Sequence, residues 1–376
     1  MSEYQYYEFQ KIDQSLTDQQ MRELRAISSR ATISRTRFSN YYTFGDLKAN
    51  PRDLLRTYFD ASLSFANWMF VALAFRYPKS AVDVKALRRY ATGQSLEVSS
   101  KGADVVVAMS VERDDLDTEE DGHGWLSSLI ALRADIASGD ERVLYLAWLL
   151  GVQQGEVDED ATEPVPPNGL GAPSPALESF IDIMGLDQDL VGAAVEGLIQ
   201  TSAAPPAKEI DRWIAALDDR EKLALLSRVT RGETNVGAEL MRRFRRQVSL
   251  RSATRILRTA GALRARAEGL AERRREVSLA RETKERVRRE REQAAARDRH
   301  LSELAKRQAD AWRRVEALVA TKRPGDYDAA ISLLKDLREI SKRKGLMEEV
   351  TERISVLRDA HAKKPSFLAR LRKAGL

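Results

Sequence analysis

The chain has 376 residues, a formal net charge of +5, 43% hydrophobic and 32% charged residues, and no cysteine. That length suits two or three domains, and the high charge suits a globular part joined to a long solvated helical part. Disulfides, Cys-ligated zinc, iron–sulfur clusters and thiol nucleophiles are excluded, and three widely separated histidines (His123, His300 and His361) argue against a His-rich metal site.

The first residues lack a basic segment followed by an apolar one, and no stretch approaches the roughly 18 apolar residues of a membrane helix. The expectation is a cytoplasmic protein with neither signal peptide nor membrane span. From the N-terminus, Tyr4–Phe9 alternates and is aromatic, which predicts a strand. Thr17 and Gln20 form the two halves of a capping box for a helix burying Met21, Leu24 and Ile27. Ile33–Tyr42 reads as a second β-rich run. Asn50-Pro51 starts a helix with Leu54, Leu55, Tyr58, Phe59 and Leu63 on one stripe. Trp68–Tyr77 is apolar and β-prone, and Lys101-Gly102 sits between Ser95–Val98 and Asp104–Val111 as a hairpin turn. Trp125–Leu132 and Val143–Leu150 close the core. Residues 1–155 are therefore expected to be an α+β domain on a mostly antiparallel sheet, with a ferredoxin-like β-α-β start left open.

Residues 156–175 are acidic, then rich in Pro and Gly, which predicts an extended linker across the surface. Residues 176–246 carry apolar stripes at helical spacing, broken at Ala203–Pro206 and Arg231–Glu233, and predict short antiparallel helices. From Met241 to Ala320 there is no proline, and only Gly261 and Gly269 interrupt the run. A heptad passes along it. Ile256, Leu263, Leu270 and Val277 are seven apart, and so are Ala280, Val287, Ala294, Leu301, Gln308 and Val315; Ala305, Trp312 and Val319 continue the first series. Its seam is weak in the middle, where Lys284, Arg291 and Asp298 hold a positions; Thr259, Arg266 and Arg273 are weak early d positions. Residues 247–320 are expected to form one long coiled-coil-like helix that needs support from a partner or from the chain itself. Residues 321–376 predict a C-terminal αα-hairpin, with Tyr327, Ala330, Ile331, Leu334 and Leu337 on one helix and Met347, Val350, Ile354 and Leu357 on the other.

The strongest chemical feature is charge. Between Arg242 and His300 there are twenty Lys/Arg against eight Asp/Glu. Arg264, Arg266, Arg273, Arg274, Arg275, Arg286, Arg288, Arg289 and Arg291 are the candidate contacts to phosphates or to an acidic partner. The bland alternative is a solvated helix kept soluble by Glu–Arg pairs, such as Glu268–Glu272–Arg275 and Glu282–Arg286. No aromatic lies between Phe244 and Trp312, which argues against base stacking on this element. Tyr4, Tyr6, Tyr7, Phe9, Tyr41, Tyr42 and Phe44 could form an RNA-stacking sheet face, although a buried face with edge tyrosines explains them better. Asp104, Glu112, Asp114 and Asp115 near Lys101 lack the acidic-x-Lys spacing of a metal-dependent nuclease, and the run to Asp121 reads as a solvated acidic loop. Gly169-Leu-Gly171 lies in the Pro-rich linker and is no dinucleotide site. His123 before Trp125 reads as a turn histidine. Phosphate-loop and serine-hydrolase signatures are absent. No cofactor and no small-molecule substrate is implied.

Glu3–Gln10, Tyr58-Phe-Asp60, Ala66-Asn-Trp68, and Trp125–Leu129 and Leu132–Asp135 with Gly139-Asp140 resemble an uncharacterised bacterial protein family, to which no activity attaches. Tyr327–Ile331, Leu333–Leu337, His361–Pro365 and Ala374–Leu376 resemble the tail of bacterial SWIM zinc-finger proteins. The zinc finger needs cysteines, so zinc binding does not carry over, and the resemblance implies a shared docking module and a bacterial source. The function expected from all this is a non-enzymatic scaffold or adaptor acting through helical protein–protein contacts or self-association. The alternative is a nucleic-acid-binding subunit of a larger machine.

Overall fold

The computed structural model describes residues 4–68, 70–113, 121–196, 207–249 and 258–376. The acidic run 114–120 with Asp114 and Asp115, the break at 203–206 and the heptad position Ile256 lie outside the described residues. The chain divides into two compact units, Met1–Arg274 and Arg275–Leu376.

The first unit is built on a seven-stranded sheet. Its strands are β1 (Gln5–Gln10), β2 (Thr32–Ile33), β3 (Arg37–Tyr42), β4 (Ala61–Ala66), β5 (Phe70–Pro78), β6 (Glu97–Lys101) and β7 (Asp104–Glu112). They lie in the order β2-β3-β1-β4-β5-β7-β6, and every neighbouring pair is antiparallel. The start is ferredoxin-like: β1-α1-β2-β3-α2-β4 lie in the order β2-β3-β1-β4, a split β-α-β in which the turn closed by Ser34 N–H to Arg37 O places β3 between the parallel β1 and β2.

Period-2 alternation gives the sheet two apolar faces. Phe9, Phe38, Ala74 and Val106 face α1 (Asp18–Ile27) and α2 (Pro51–Tyr58), which contribute Leu24, Leu54 and Leu55. Tyr6, Phe65, Leu73, Phe75, Val107 and Met109 face the other core. α3 (Val84–Arg88), α4 (Trp125–Leu129), α5 (Ala131–Ala137), α6 (Arg142–Gln153), α7 (Pro175–Ile183) and α8 (Gln188–Val195) contribute to that core. α6 is buried on all sides, from Val143 to Val152, as a helix that is apolar all round must be. The local signals formed as the sequence dictates. Thr17 Oγ1 accepts from Gln20 N at 3.2 Å while Gln20 Oε1 accepts from Thr17 N at 2.9 Å, and Asn50 caps α2 ahead of Pro51.

α9 (Ala207–Ala215), α10 (Asp219–Thr230) and α11 (Val236–Ser249) follow. The helix expected over 247–320 is not one helix. Thr259 is extended and bridges Thr162, so α12 runs from Ala260 to Lys306. Arg307 then leaves helical geometry (φ −123°, ψ 36°) before α13 (Gln308–Ala320). The break turns Trp312, Val315 and Val319 into the core of the second unit. There they meet Tyr327, Leu334 and Leu337 of α14 (Pro324–Lys344), Ile354 and Leu357 of α15 (Met347–Ala360), and Phe367 of α16 (Pro365–Lys373). Gly345 ends α14 at φ 73°, the left-handed cap that glycine adopts without strain.

One charged cluster ties the first sheet together. Asp60, fully buried, accepts from the backbone of Ile12 at 2.7 Å and Asp13 at 3.0 Å and pairs with Arg76 and Lys11. Arg76 also meets Asp104, and Arg133 meets Asp13. Three cations face three carboxylates, so the cluster is closed on itself. Burial pushes the Asp60 carboxyl up, but the two N–H donors and the neighbouring Lys11 and Arg76 outweigh it and hold it below the ordinary value. Its folded pKa is depressed, so its stabilisation is present above the unfolded value of about 3.9 and is lost as pH falls through the folded value. Asp60→Asn is expected to cost about 3 kcal/mol in urea unfolding at pH 7, and the gap to the native chain closes as the pH is taken below the carboxylate range.

Candidate functional site

The nine arginines singled out by charge lie on α12, which belongs to both units: residues 260–274 to the first and 275–306 to the second. In the first unit Ala260, Leu263 and Ala267 are buried, and Leu270 lies 3.5 Å from where a Cβ on Gly192 would be. Here the arginines are engaged. Arg264 donates to Val152 O, Arg266 pairs with Glu196, Arg273 donates to Gly269 O at 3.1 Å, and Arg274 pairs with Asp189 at 2.7 Å.

The N-terminus of α12 is fixed by a residue that the charge count missed. Glu163 is 2% exposed. It accepts from Tyr145 Oη and from Arg258 Nε and Nη2, both at 2.9 Å, while Arg258 Nη1 reaches Ala193 O at the end of α8. Burial first, and then the Glu163 carboxylate, push the Tyr145 phenol far above its ordinary range, so it stays a donor. Backbone bonds from Ala260 N to Ala161 O and from Gly261 N to Glu159 O continue the attachment. A Cβ on Gly261 would meet Glu159 O at 3.1 Å, so the close approach uses glycine. The segment expected as an extended surface linker is thus pinned to the first unit through Glu156, Glu159, Ala161 and Glu163. Glu156 also accepts from Ser95 N and Oγ and from Thr92 Oγ1.

In the second unit, α12 is exposed from Arg275 to about Arg299 and becomes buried at Leu301. Val277 is 69% exposed. Arg281–Glu285, Arg286–Glu290 and Arg288–Glu292 pair along the helix at i, i+4. Arg275, Lys284, Arg289 and Arg291 have no ion pair among the described residues. Asp336 of α14, buried, holds the far end of α12 through Arg297 at 2.6 Å and His300 Nε2 at 2.9 Å, and Arg343 pairs with Asp298 at 2.8 Å. A shallow, open depression of about 400 Å³ lies along Glu282, Glu285, Arg286, Arg289, Glu290 and Gln293.

The aromatic residues form no single stacking platform. Tyr4, Tyr6 and Tyr41 are on one face of the sheet and Tyr7, Phe9 and Tyr42 on the other, as their register requires. Tyr6 and Phe9 are buried, whereas Phe44 is 89% exposed. Asp104 is taken by Arg76, and Glu112 ends β7 exposed. His123 lies 6.2 Å from the Tyr6 ring, centroid to centroid. His361 packs edge-on to Phe367, and burial with the nearby Lys364 lowers its pKa. Among the described residues no three His, Asp or Glu gather as metal ligands, and no helix is long and apolar enough to cross a membrane. No protein-family profile, curated protein or solved structure matches the chain.

The two anchoring carboxylates were visible in sequence only as ordinary acids. Each finds its partners far along the chain, Arg258 for Glu163 and Arg297 with His300 for Asp336. Glu163→Gln is expected to cost about 2–3 kcal/mol in urea unfolding, because it leaves the Arg258 guanidinium half-buried without its counter-charge. Glu159→Gln, 81% exposed and 3.9 Å from Arg264, is expected to change stability by less than about 0.5 kcal/mol.

Proposed function

We propose that the protein is a non-enzymatic scaffold, in which one continuous helix carries two compact docking units and offers its own exposed stretch to a protein partner. The observation that carries this reading is α12 itself. Its ends are held by buried carboxylates in the units to which they belong, and its middle is left open while staying helical through its own charge pairs. A surface helix whose only task was to cover a core would bury one stripe along its whole length. This one buries its seam at Leu263 and Leu301 and leaves Val277, Ala280 and Ala294 open between them.

The competing reading, an Arg-rich helix lying on nucleic-acid phosphates, loses most of its cations. Arg264, Arg266, Arg274, Arg286 and Arg288 are already engaged with carboxylates or carbonyls of the chain. Glu282, Glu285, Glu290 and Glu292 share the exposed stretch and would repel phosphate.

The test is capture of the tagged full-length chain from its own cells, combined with light scattering of the purified protein. The scaffold reading predicts bound proteins in near-stoichiometric amount that survive nuclease treatment. A strict monomer that captures nothing contradicts it.

A further inference from the structure

The heptad seam of α12 is covered twice by the chain itself, at Leu263, flanked by the buried Ala260 and Ala267, and again at Leu301. Between these segments the same seam continues through Val277, Ala280, Lys284, Val287, Arg291 and Ala294, and none of the described residues covers it. That is 18 residues, two and a half heptads, about 27 Å of helix. The apolar positions are small, and neither of the two charged a positions, Lys284 and Arg291, has an ion pair among the described residues. The neighbouring Arg281 and Arg288 hold e positions beside the seam, and Glu276 and Glu290 hold g positions.

A second copy fits this seam badly. In parallel register Lys284 faces Lys284 and Arg291 faces Arg291, like charges at the centre of a coiled coil. In an antiparallel pair centred on the stretch, Lys284 faces Val287 and Arg291 faces Ala280 of the other copy, so each chain buries two cations without a counter-charge. Duplex nucleic acid leaves the valines in water and meets the glutamates.

We infer that the open seam from Val277 to Ala294 docks an acidic amphipathic helix of a different protein, with carboxylates facing Lys284 and Arg291 and branched aliphatic side chains facing Val277, Ala280 and Val287. Such a helix supplies both missing components: apolar cover for the exposed Val277 and the half-buried Val287, and counter-charge for the two seam cations. Its own e positions, opposite Glu276 and Glu290, would carry Lys or Arg, and its g positions, opposite Arg281 and Arg288, would carry Glu, which fixes a parallel orientation. This deepens the scaffold reading by naming the partner's chemistry, and it rests on that reading only for the idea that α12 is used at all.

The test uses the intact chain and three labelled probes in fluorescence anisotropy at about 0.1 M salt. The first is a 21-residue helical peptide with Leu opposite the apolar seam positions and Glu opposite Lys284 and Arg291. The second carries Lys in place of those Glu, and the third is duplex DNA. The acidic peptide should bind in the micromolar range and at least tenfold more tightly than the Lys peptide. Lys284→Glu with Arg291→Glu should reverse that preference, and Val287→Asp should weaken the acidic peptide; all three side chains lie outside the three cores, so circular dichroism should show the fold intact. Equal binding of the two peptides, or no binding of the acidic one, overturns the inference. So does tighter binding of the duplex that the double charge reversal abolishes, or a dimer by light scattering that the same reversal disperses. Failure of the peptide arm with undiminished capture of cellular proteins overturns the seam and leaves the scaffold standing.

Discussion

A helix with no core beneath it has to be held by something other than hydrophobic burial. Residues 275–299 of α12 are almost entirely exposed, and host–guest energetics make an isolated helix of that length marginal in water. Three features offset this cost. Ala, Arg, Glu, Lys and Gln dominate the stretch and have high helix propensity. Arg–Glu pairs at i, i+4 add a few tenths of a kcal/mol each. Nucleation is done elsewhere, because both ends of α12 are already helical inside packed units.

The two anchors use the same chemistry. Glu163 and Asp336 are buried carboxylates, and each takes an arginine at or near an end of α12, Arg258 for one and Arg297 for the other. Tyr145 and His300 complete the two sites. A buried carboxylate is costly unless its lone pairs are filled, so each anchor specifies one geometry and penalises a slipped register. Around Glu163 the backbone adds a short β-bridge between Thr162 and Thr259, which is why the helix starts where it does. The closed charge cluster at Asp60 does the same work within the sheet, joining β4, β5 and α5 through Arg76 and Arg133.

Much of the fold was legible in the sequence because its signals are local. The capping box at Thr17 and Gln20, the Asn50-Pro51 start, the Lys101-Gly102 turn and the alternation of β5 and β7 each depend on neighbours a few residues away. The ferredoxin-like start was legible only as one open option, since alternation alone does not say that β3 inserts between β1 and β2. The heptad misled on continuity. Trp312, Val315 and Val319 keep the phase of Leu263 and Leu270, but the chain breaks at Arg307 and they pack in a different core. A periodic pattern reports which face is apolar and says nothing of whether the backbone is unbroken. At the candidate site, the charge of α12 was evident, while its partition into engaged and free cations depends on residues such as Val152, Asp189 and Glu196, which are distant in sequence.

Amide hydrogen exchange along α12 in the intact protein tests the central claim most directly. If buried carboxylates anchor its ends and its own charges support its middle, exchange is slow at 263–270 and 300–305. It is intermediate across 277–295, and raising the salt to about 1 M speeds the middle while leaving the ends unchanged. A middle as slow as the ends and indifferent to salt contradicts the account, because the stretch would then be covered by packing. Exchange there at the rate of an unfolded chain contradicts it equally, because there would be no helix for a partner to meet.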